Sequence, residues 1–351
     1  MERDHGIDLM KTIAILMVIS LHVPVWNEWF SVDEFTRLNL IQYLIRVFCE
    51  GVPIFVMVNG YLIIGKQTDL ITHIKKTIKI IILLVIWAII LILVLSFGVE
   101  QQTALSVLKY LLSTQNGSSY TGTLWYLQSL IALYFLYPGI NFIYINNKKL
   151  FKYLIVIVGC FSIITKTINE LFDLLCSCGI TSNIYLFSDF IYKLNPIANG
   201  AFLFYFMMGA WIKDNRERIK KLRIIFIVIG IVMWLLSFKM GITISRNSGS
   251  LYRPSFNYSS IVMVALILAL YSACSYYQAK NLIIRKIIEL IGKNTLGMYL
   301  THFIIISYIN RVTCEKGLSL RLLEMVIVFI ASLIVSVVLR KIPLLSKLVS
   351  T

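Results

Sequence analysis

The sequence predicts an all-α, polytopic integral membrane protein with about ten transmembrane helices. Three observations lead to this prediction: an apolar composition, repeated apolar stretches of membrane-spanning length, and basic residues concentrated in alternate loops. Hydrophobic residues make up 58% of the 351 residues and charged residues only 14%, whereas soluble domains carry about 25% charged residues. A soluble fold would leave most of its surface apolar, so the composition argues strongly against one.

The apolar stretches give the predicted crossings in chain order. A helix needs about 20 mostly apolar residues to cross the hydrocarbon core. The ten candidate stretches are residues 12–30, 40–64, 77–98, 123–143, 150–168, 197–213, 222–244, 256–276, 292–310 and 320–339. The first stretch has no clean basic region before it and no small-residue cleavage site, so we expect it to remain as a helix.

The basic residues predict the orientation. With the N-terminus placed in the cytoplasm, cytoplasmic segments hold 22 of the 33 lysines and arginines, and the opposite side holds the other 11. The positive-inside rule therefore predicts that both termini are cytoplasmic. These clusters also attract anionic lipid and phosphorylated ligands. Because they lie between apolar stretches, they do not form the soluble basic face that nucleic-acid binding requires.

The chain shows neither a fixed-period repeat nor a low-complexity linker, so residues 1–351 are predicted to form a single transmembrane domain. Transporter folds often show matching halves with broken helices, and the absence of this pattern mildly disfavours transport. The six cysteines are scattered without metal-ligand spacing, so no metal site is predicted.

Two histidines are predicted to lie inside the membrane. His22 follows Lys11 by eleven residues, which places it about 16 Å into the bilayer. His302 follows Gly292 by ten residues on another outward-running helix, so both imidazoles are expected at a similar depth. Ionisable side chains at such depth are costly and mark functional sites. Packing between helices is the alternative, and it is more serious for His302. The other two histidines, His5 and His73, fall in cytoplasmic segments and are expected to be solvated.

Two pairs of opposite charge occur at helical spacing. Asp8 and Lys11 are three residues apart on one face of the first helix, either as an ordinary helix start or as part of a phosphate-binding site. Arg46 and Glu50 are four residues apart, either as a self-satisfied pair or as a polar patch at the entrance of a substrate. The membrane histidines suggest a different role, because imidazole is suited to proton abstraction from a hydroxyl.

Together these residues resemble the membrane-bound acyltransferase family 3, the bacterial sugar O-acyltransferases, in a short form without an appended soluble domain. Four stretches carry the resemblance: Asp8 and Lys11 with His22; Gly51-Val-Pro-Ile-Phe with Asn59-Gly60-Tyr61; Leu124-Trp125-Tyr126-Leu127 with Leu136-Tyr137-Pro138; and Gly292 to His302. The chain departs from the family pattern at two positions. The family often has Arg where this chain has Lys11, and lysine lacks the guanidinium fork of arginine. Ser is common in the family where this chain has Asn59.

The resemblance implies an O-acyltransferase in the bacterial inner membrane. Acyl-CoA, most often acetyl-CoA, would be a co-substrate, with no bound cofactor, and the acceptor would be a surface polysaccharide or its lipid-linked precursor. We assign His22 as general base, with Lys11, Asp8 and His302 as further catalytic candidates. Lys11, Lys75, Lys76 and Arg285 are assigned to the donor's phosphates, although the positive-inside rule already accounts for the loop cations. The acceptor-binding candidates are Trp125, Tyr126, Arg46, Glu50 and Asn59; interfacial aromatic residues and helix packing also account for Trp125, Tyr126 and Asn59.

Two other functions fit the same helix count and buried histidines. A transporter or flippase of a polysaccharide precursor would move an unmodified glycan and would not cleave a thioester. A non-catalytic partner of a polysaccharide synthase would tolerate the loss of His22.

Overall fold

The computed structural model describes residues 3–23, 37–97, 103, 122–180, 200–254, 258–278, 280–312, 317–343 and 345–349. Of these residues 86% are helical, and none of them forms a strand. The prediction of an all-α polytopic membrane protein is confirmed.

Helices follow one another along nearly the whole described chain. The α-helices are α1 His5–His22, α2 Arg37–Phe48, α3 Val52–Ile63, α4 Leu70–Ser96, α5 Trp125–Asn146, α6 Lys148–Gly159, α7 Thr165–Ser177, α8 Ala201–Asp214, α9 Arg216–Lys221, α10 Arg223–Ser248, α11 Ile261–Cys274, α12 Leu282–Val312 and α13 Leu318–Lys341. A π-helical turn, Cys160–Ile164, joins α6 to α7, and 3₁₀ turns occupy Gly122–Leu124 and Leu345–Leu348.

Side-chain caps determine where several helices begin. The Asp4 carboxylate accepts the Ile7 N–H at 3.2 Å, so α1 starts at His5 and includes Asp8 and Lys11, which the sequence placed on the first helix. Asp69 caps α4 in the same way through the Thr72 N–H at 2.8 Å. These caps satisfy N–H groups that have no partner within the helix.

Among the described residues, seven helical segments are long and apolar enough to cross a membrane: His5–His22, Leu40–Ile63, Leu70–Ser96, Gly122–Asn146, Lys148–Ser177, Arg223–Ser248 and Leu318–Lys341. Each overlaps one of the predicted crossings. The other three predicted crossings also contain helices, but α8 and α11 have only 14 residues each. The third, α12, is long but insufficiently apolar. The count of ten crossings and the orientation of the termini stay predictions.

The first helix and the first predicted apolar stretch have different bounds. The helix begins seven residues before that stretch and ends within it at His22, where Val23 turns to an extended conformation. His22 is therefore on the last turn of α1 and not in the middle of a longer helix. Residues 24–30 of the predicted crossing lie outside the described residues.

The chain forms two compact units. The first comprises residues 1–65 and 140–289, and the second comprises residues 66–139 and 290–351. In the first unit, the backbones of α3 and α8 are in contact where the two helices cross. The contact is so close that a Cβ atom on Gly60 would overlap the Phe206 carbonyl oxygen. A Cβ atom on Gly51 would overlap the Ala14 carbonyl, so α3 also begins against α1. The small residues of this stretch thus permit close helix approach.

In the second unit, α12 and α13 are joined by polar contacts. The Ser336 hydroxyl donates to the Asn294 Oδ1 atom at 3.0 Å, and Gly297 leaves room for that hydroxyl. The turn Leu345–Leu348 docks on α4, where the Trp87 indole N–H donates to the Leu348 carbonyl at 2.7 Å.

Candidate functional site

A buried carboxylate at the start of α1 binds two cations. Asp8 is only 3% exposed. The Lys11 ammonium lies 3.4 Å from its Oδ1 atom, as the three-residue spacing predicted. The Arg3 guanidinium donates to Oδ2, a contact that spacing along a helix does not reveal because Arg3 precedes α1. A buried carboxylate requires such partners, and Asp8 thus holds both cations in place.

Arg285 joins the same cluster through the first turns of α12. The Arg3 Nη2 atom donates to the Glu289 carbonyl at 3.1 Å. The Glu289 carboxylate lies 3.4 Å from the Arg285 Nε atom and 3.5 Å from the His5 Nδ1 atom. The structure therefore brings Lys11 and Arg285, two of the four predicted donor-binding cations, to one cluster within the first unit.

His22 has a defined tautomer. Its Nδ1 atom lies 2.8 Å from the Val18 carbonyl oxygen one turn earlier. A carbonyl oxygen only accepts hydrogen bonds, so Nδ1 carries the proton and Nε2 carries the lone pair in the neutral ring. The side chain is half-buried. This arrangement orients Nε2 as a proton acceptor, which a general base requires.

His302 is part of an aromatic cluster in the second unit. It is fully buried, and its Nδ1 atom donates to the Tyr299 carbonyl at 2.6 Å. The Tyr299 ring lies 5.9 Å from the His302 ring and packs edge-on against Tyr126 at 5.4 Å. The Tyr299 hydroxyl donates to the Thr123 carbonyl. Tyr299 thus connects His302 with Tyr126, and the sequence pattern did not predict this contact.

The predicted site residues are divided between the two units. Asp8, Lys11, His22, Arg46, Glu50, Asn59 and Arg285 belong to the first unit, and Lys75, Lys76, Trp125, Tyr126 and His302 belong to the second. The similar depth expected for His22 and His302 in the membrane stays a prediction. Asn59 and Trp125 are half-buried, and their roles also stay predictions.

Arg46 and Glu50 form an ion pair, as the more conservative of the two interpretations predicted. The Arg46 Nη1 atom lies 2.7 Å from the Glu50 Oε1 atom, and Glu50 is buried. The loop residue Arg253 interacts electrostatically with both Arg46 and Glu50. Partial burial and the charge of Arg46 lower the pKa of the Arg253 guanidinium, and Glu50 opposes that effect. The acceptor-binding role of the pair stays a prediction.

Tyrosines hold the segment after α10 against this ion pair. Tyr43 of α2 donates to the Tyr252 carbonyl at 2.7 Å, and Tyr252 donates to the Asp173 carboxylate of α7 at 2.8 Å. Tyr205 of α8 donates to the Tyr258 carbonyl, also at 2.7 Å. Tyr258 has a φ of 64°, and such strain in a residue other than glycine persists only where its surroundings enforce it.

His73 corrects a sequence-based expectation. We expected it to be solvated, but it is 6% exposed and its Nε2 atom lies 2.7 Å from the Tyr134 carbonyl oxygen. Pro138, four residues beyond Tyr134, is inside α5 and has no N–H to donate to that carbonyl. His73 supplies the missing donor, and its ring packs 4.8 Å from Tyr137. His5 is half-buried and contacts Glu289, so it is only partly solvated.

A family model described as an acyltransferase domain matches residues 4–341. No curated protein and no solved structure gives a significant match.

Proposed function

The chain belongs to the membrane-bound acyltransferase family 3, and from this premise we propose that it is an acetyl-CoA-dependent O-acetyltransferase of the bacterial inner membrane. The acceptor in this proposal is a hydroxyl of a cell-surface polysaccharide or its lipid-linked precursor. Membership in the family makes the protein a membrane acyltransferase; the donor, the acceptor and the inner membrane are the proposed parts.

The orientation of His22 is the observation that carries the proposal. With Nδ1 engaged by Val18, Nε2 accepts the proton of the attacking hydroxyl. The hydroxyl oxygen forms a bond to the thioester carbonyl carbon, and the carbon–sulfur bond breaks as the tetrahedral intermediate collapses. The leaving thiolate recovers the proton from the imidazolium. His22 is unchanged at the end, as a general base requires.

The spacing along α1 supports a thioester donor with phosphates at its far end. Lys11 and His22 are eleven residues apart on one continuous helix, which corresponds to about 16 Å along its axis. CoA carries its thioester at one end of a long flexible arm and its phosphates at the other. A donor lying beside α1 would place its phosphates near Arg3 and Lys11 and its thioester near His22.

The acceptor would enter at the end of α1 that carries His22. Gly51, at the start of α3, contacts Ala14 and Val18 of α1, and Val18 is one turn before His22, so the Arg46–Glu50 pair directly precedes a residue that lies about one turn from His22 along α1. Carboxylate and guanidinium groups bind sugar hydroxyls directionally, and tyrosine rings supply apolar faces for the sugar ring. Tyr258, whose charge environment includes Glu50 and Arg46, is our candidate for that contact.

The direct test is mass spectrometry of the host's surface glycan with and without the gene. We expect one acetyl group per repeat to disappear when the gene is deleted and to return with the wild-type gene. An unmodified glycan that fails to reach the surface would instead favour a transporter. An unchanged glycan would contradict both.

The donor assignment has a kinetic test of its own. Lys11→Ala should raise the donor KM more than it lowers kcat, which is the signature of lost uniform binding. A loss of thermal stability with an unchanged donor KM would show that Lys11 serves only to pair with Asp8. Lys148→Ala is the matched control, because this exposed lysine is paired with Asp214 at 2.6 Å.

A further inference from the structure

The first three turns of α4 have one buried face and one exposed face. His73, Thr77 and Ile80 are buried within the protein, and they lie on one side of the helix. Each residue advances the helix by about 100°, so the remaining residues of these turns face outward. Ile71 is 66% exposed and Lys75, Lys76 and Lys79 are exposed as well.

The outward face separates apolar from cationic side chains. Ile71, Ile74 and Ile78 follow one flank of the helix at the spacing of one turn. Lys75, Lys76 and Lys79 follow the other flank. Within the part of the chain that the structure describes, none of these three lysines lies within ion-pair distance of a carboxylate. The nearby Asp69 carboxylate is used to cap the helix at Thr72.

The length of α4 places this face at the membrane surface. The helix has 27 residues, or about 40 Å, and the hydrocarbon core is only about 30 Å thick. Residues from Ile80 to Ser96 carry no charge and fill most of that core. The segment Leu70–Lys79 therefore extends into the headgroup region.

We propose that this outward face of Leu70–Lys79 is a binding surface for anionic phospholipid headgroups. Lys75, Lys76 and Lys79 contact lipid phosphates, while the isoleucines lie among the upper parts of the acyl chains. Lysine clusters directly beside a membrane-spanning helix attract anionic headgroups, and an adjacent apolar flank anchors the segment at the interface. The proposal does not depend on the enzymatic function. It gives Lys75 and Lys76 a lipid partner in place of the donor phosphates assigned from the sequence.

Native mass spectrometry of the full-length protein in detergent tests the proposal. The protein is mixed with equal amounts of phosphatidylglycerol and phosphatidylcholine, and the bound lipids are counted. Each lysine near an anionic surface contributes about a fivefold preference. We expect the wild type to retain phosphatidylglycerol preferentially, Lys79→Gln to lose about fivefold of that preference, and the K75Q/K76Q/K79Q variant to lose most of it.

A charge-matched control separates a site from general attraction. The R218Q/K220Q/K221Q variant removes three charges from α9, whose single apolar residue, Ile219, is buried, so this helix lacks the apolar flank. This variant should keep the phosphatidylglycerol preference. An equal loss in both triple variants would reduce the effect to net charge and overturn the proposal.

A competition experiment separates the two sources of phosphate. Excess CoA should leave phosphatidylglycerol bound to the wild type, because the lysines face lipid. Displacement of the lipid by CoA would show that the lysines hold the donor's phosphates and would also overturn the proposal.

Discussion

The contact between His73 and the Tyr134 carbonyl predicts a measurable dependence on Pro138. Pro138 removes the N–H that would otherwise bind Tyr134, and His73 replaces that donor across 2.7 Å in a buried position. His73→Leu removes the donor while keeping an apolar side chain of useful size. Leaving a buried carbonyl unsatisfied costs about 1–3 kcal/mol.

The expected change in apparent Tm can be given for each variant. For a chain of this size, 1 kcal/mol changes Tm by about 2 °C, so His73→Leu should lower the apparent Tm by about 2–6 °C. In Pro138→Ala the restored N–H is available to Tyr134, so the same His73 substitution should cost much less. We expect the double-mutant cycle to give a coupling of about 1–2 kcal/mol, within the usual range for residues in contact.

The assay is the loss of monodisperse protein on heating, followed by size-exclusion chromatography in one detergent at one scan rate. Tyr137→Phe is the control, because it keeps the ring that packs against His73 and should leave the coupling unchanged. Additive effects of the two substitutions, within about 0.5 kcal/mol, would refute the idea that His73 replaces the donor missing at Pro138.

Two further predictions concern packing and topology. Gly60→Val should lower the apparent Tm by several degrees, because the new side chain would overlap the Phe206 carbonyl. Gly139→Ala should leave the apparent Tm unchanged, since nothing lies within 4 Å of the added atom. Equal effects of the two substitutions would contradict the close crossing of α3 and α8. In a variant without natural cysteines, Lys149→Cys should be shielded from a membrane-impermeant reagent applied to intact cells, and Ser248→Cys should react. The reverse pattern would overturn the predicted orientation.

Local spacing allowed parts of the site to be predicted from the sequence. Lys11 contacts Asp8, and Arg46 contacts Glu50, because residues three or four apart on a helix are neighbours. The apolar stretches likewise located the helices, since burial in lipid requires uninterrupted apolar sequence. These inferences use only information within one turn or one helix.

The features that sequence reasoning missed depend on contacts between distant parts of the chain. Arg3 reaches Asp8 from outside the helix, and Tyr299 connects Tyr126 with His302 across two helices. The burial of His73 follows from a carbonyl that a proline on another helix leaves without a donor. No periodicity within α4 contains that information.

The helix ends were the least predictable part of the fold. The first crossing was expected to continue to residue 30, but its helix begins at the Asp4 cap and ends at His22. Apolar residues mark what a helix buries, whereas caps and backbone conformation determine where it starts and stops. This difference places the proposed base on the last turn of α1.

In the proposed mechanism, His22 is the general base of acyl transfer. The most direct measurement is transfer of radiolabelled acetyl from acetyl-CoA to glycan in membranes that contain equal amounts of wild type, His22→Ala and His22→Gln. A general base contributes about 10²–10⁴-fold, so both variants should lose activity by that factor while inserting normally; glutamine keeps a hydrogen-bonding side chain but has no basic nitrogen. Full activity in both variants would contradict the mechanism and favour a non-catalytic role.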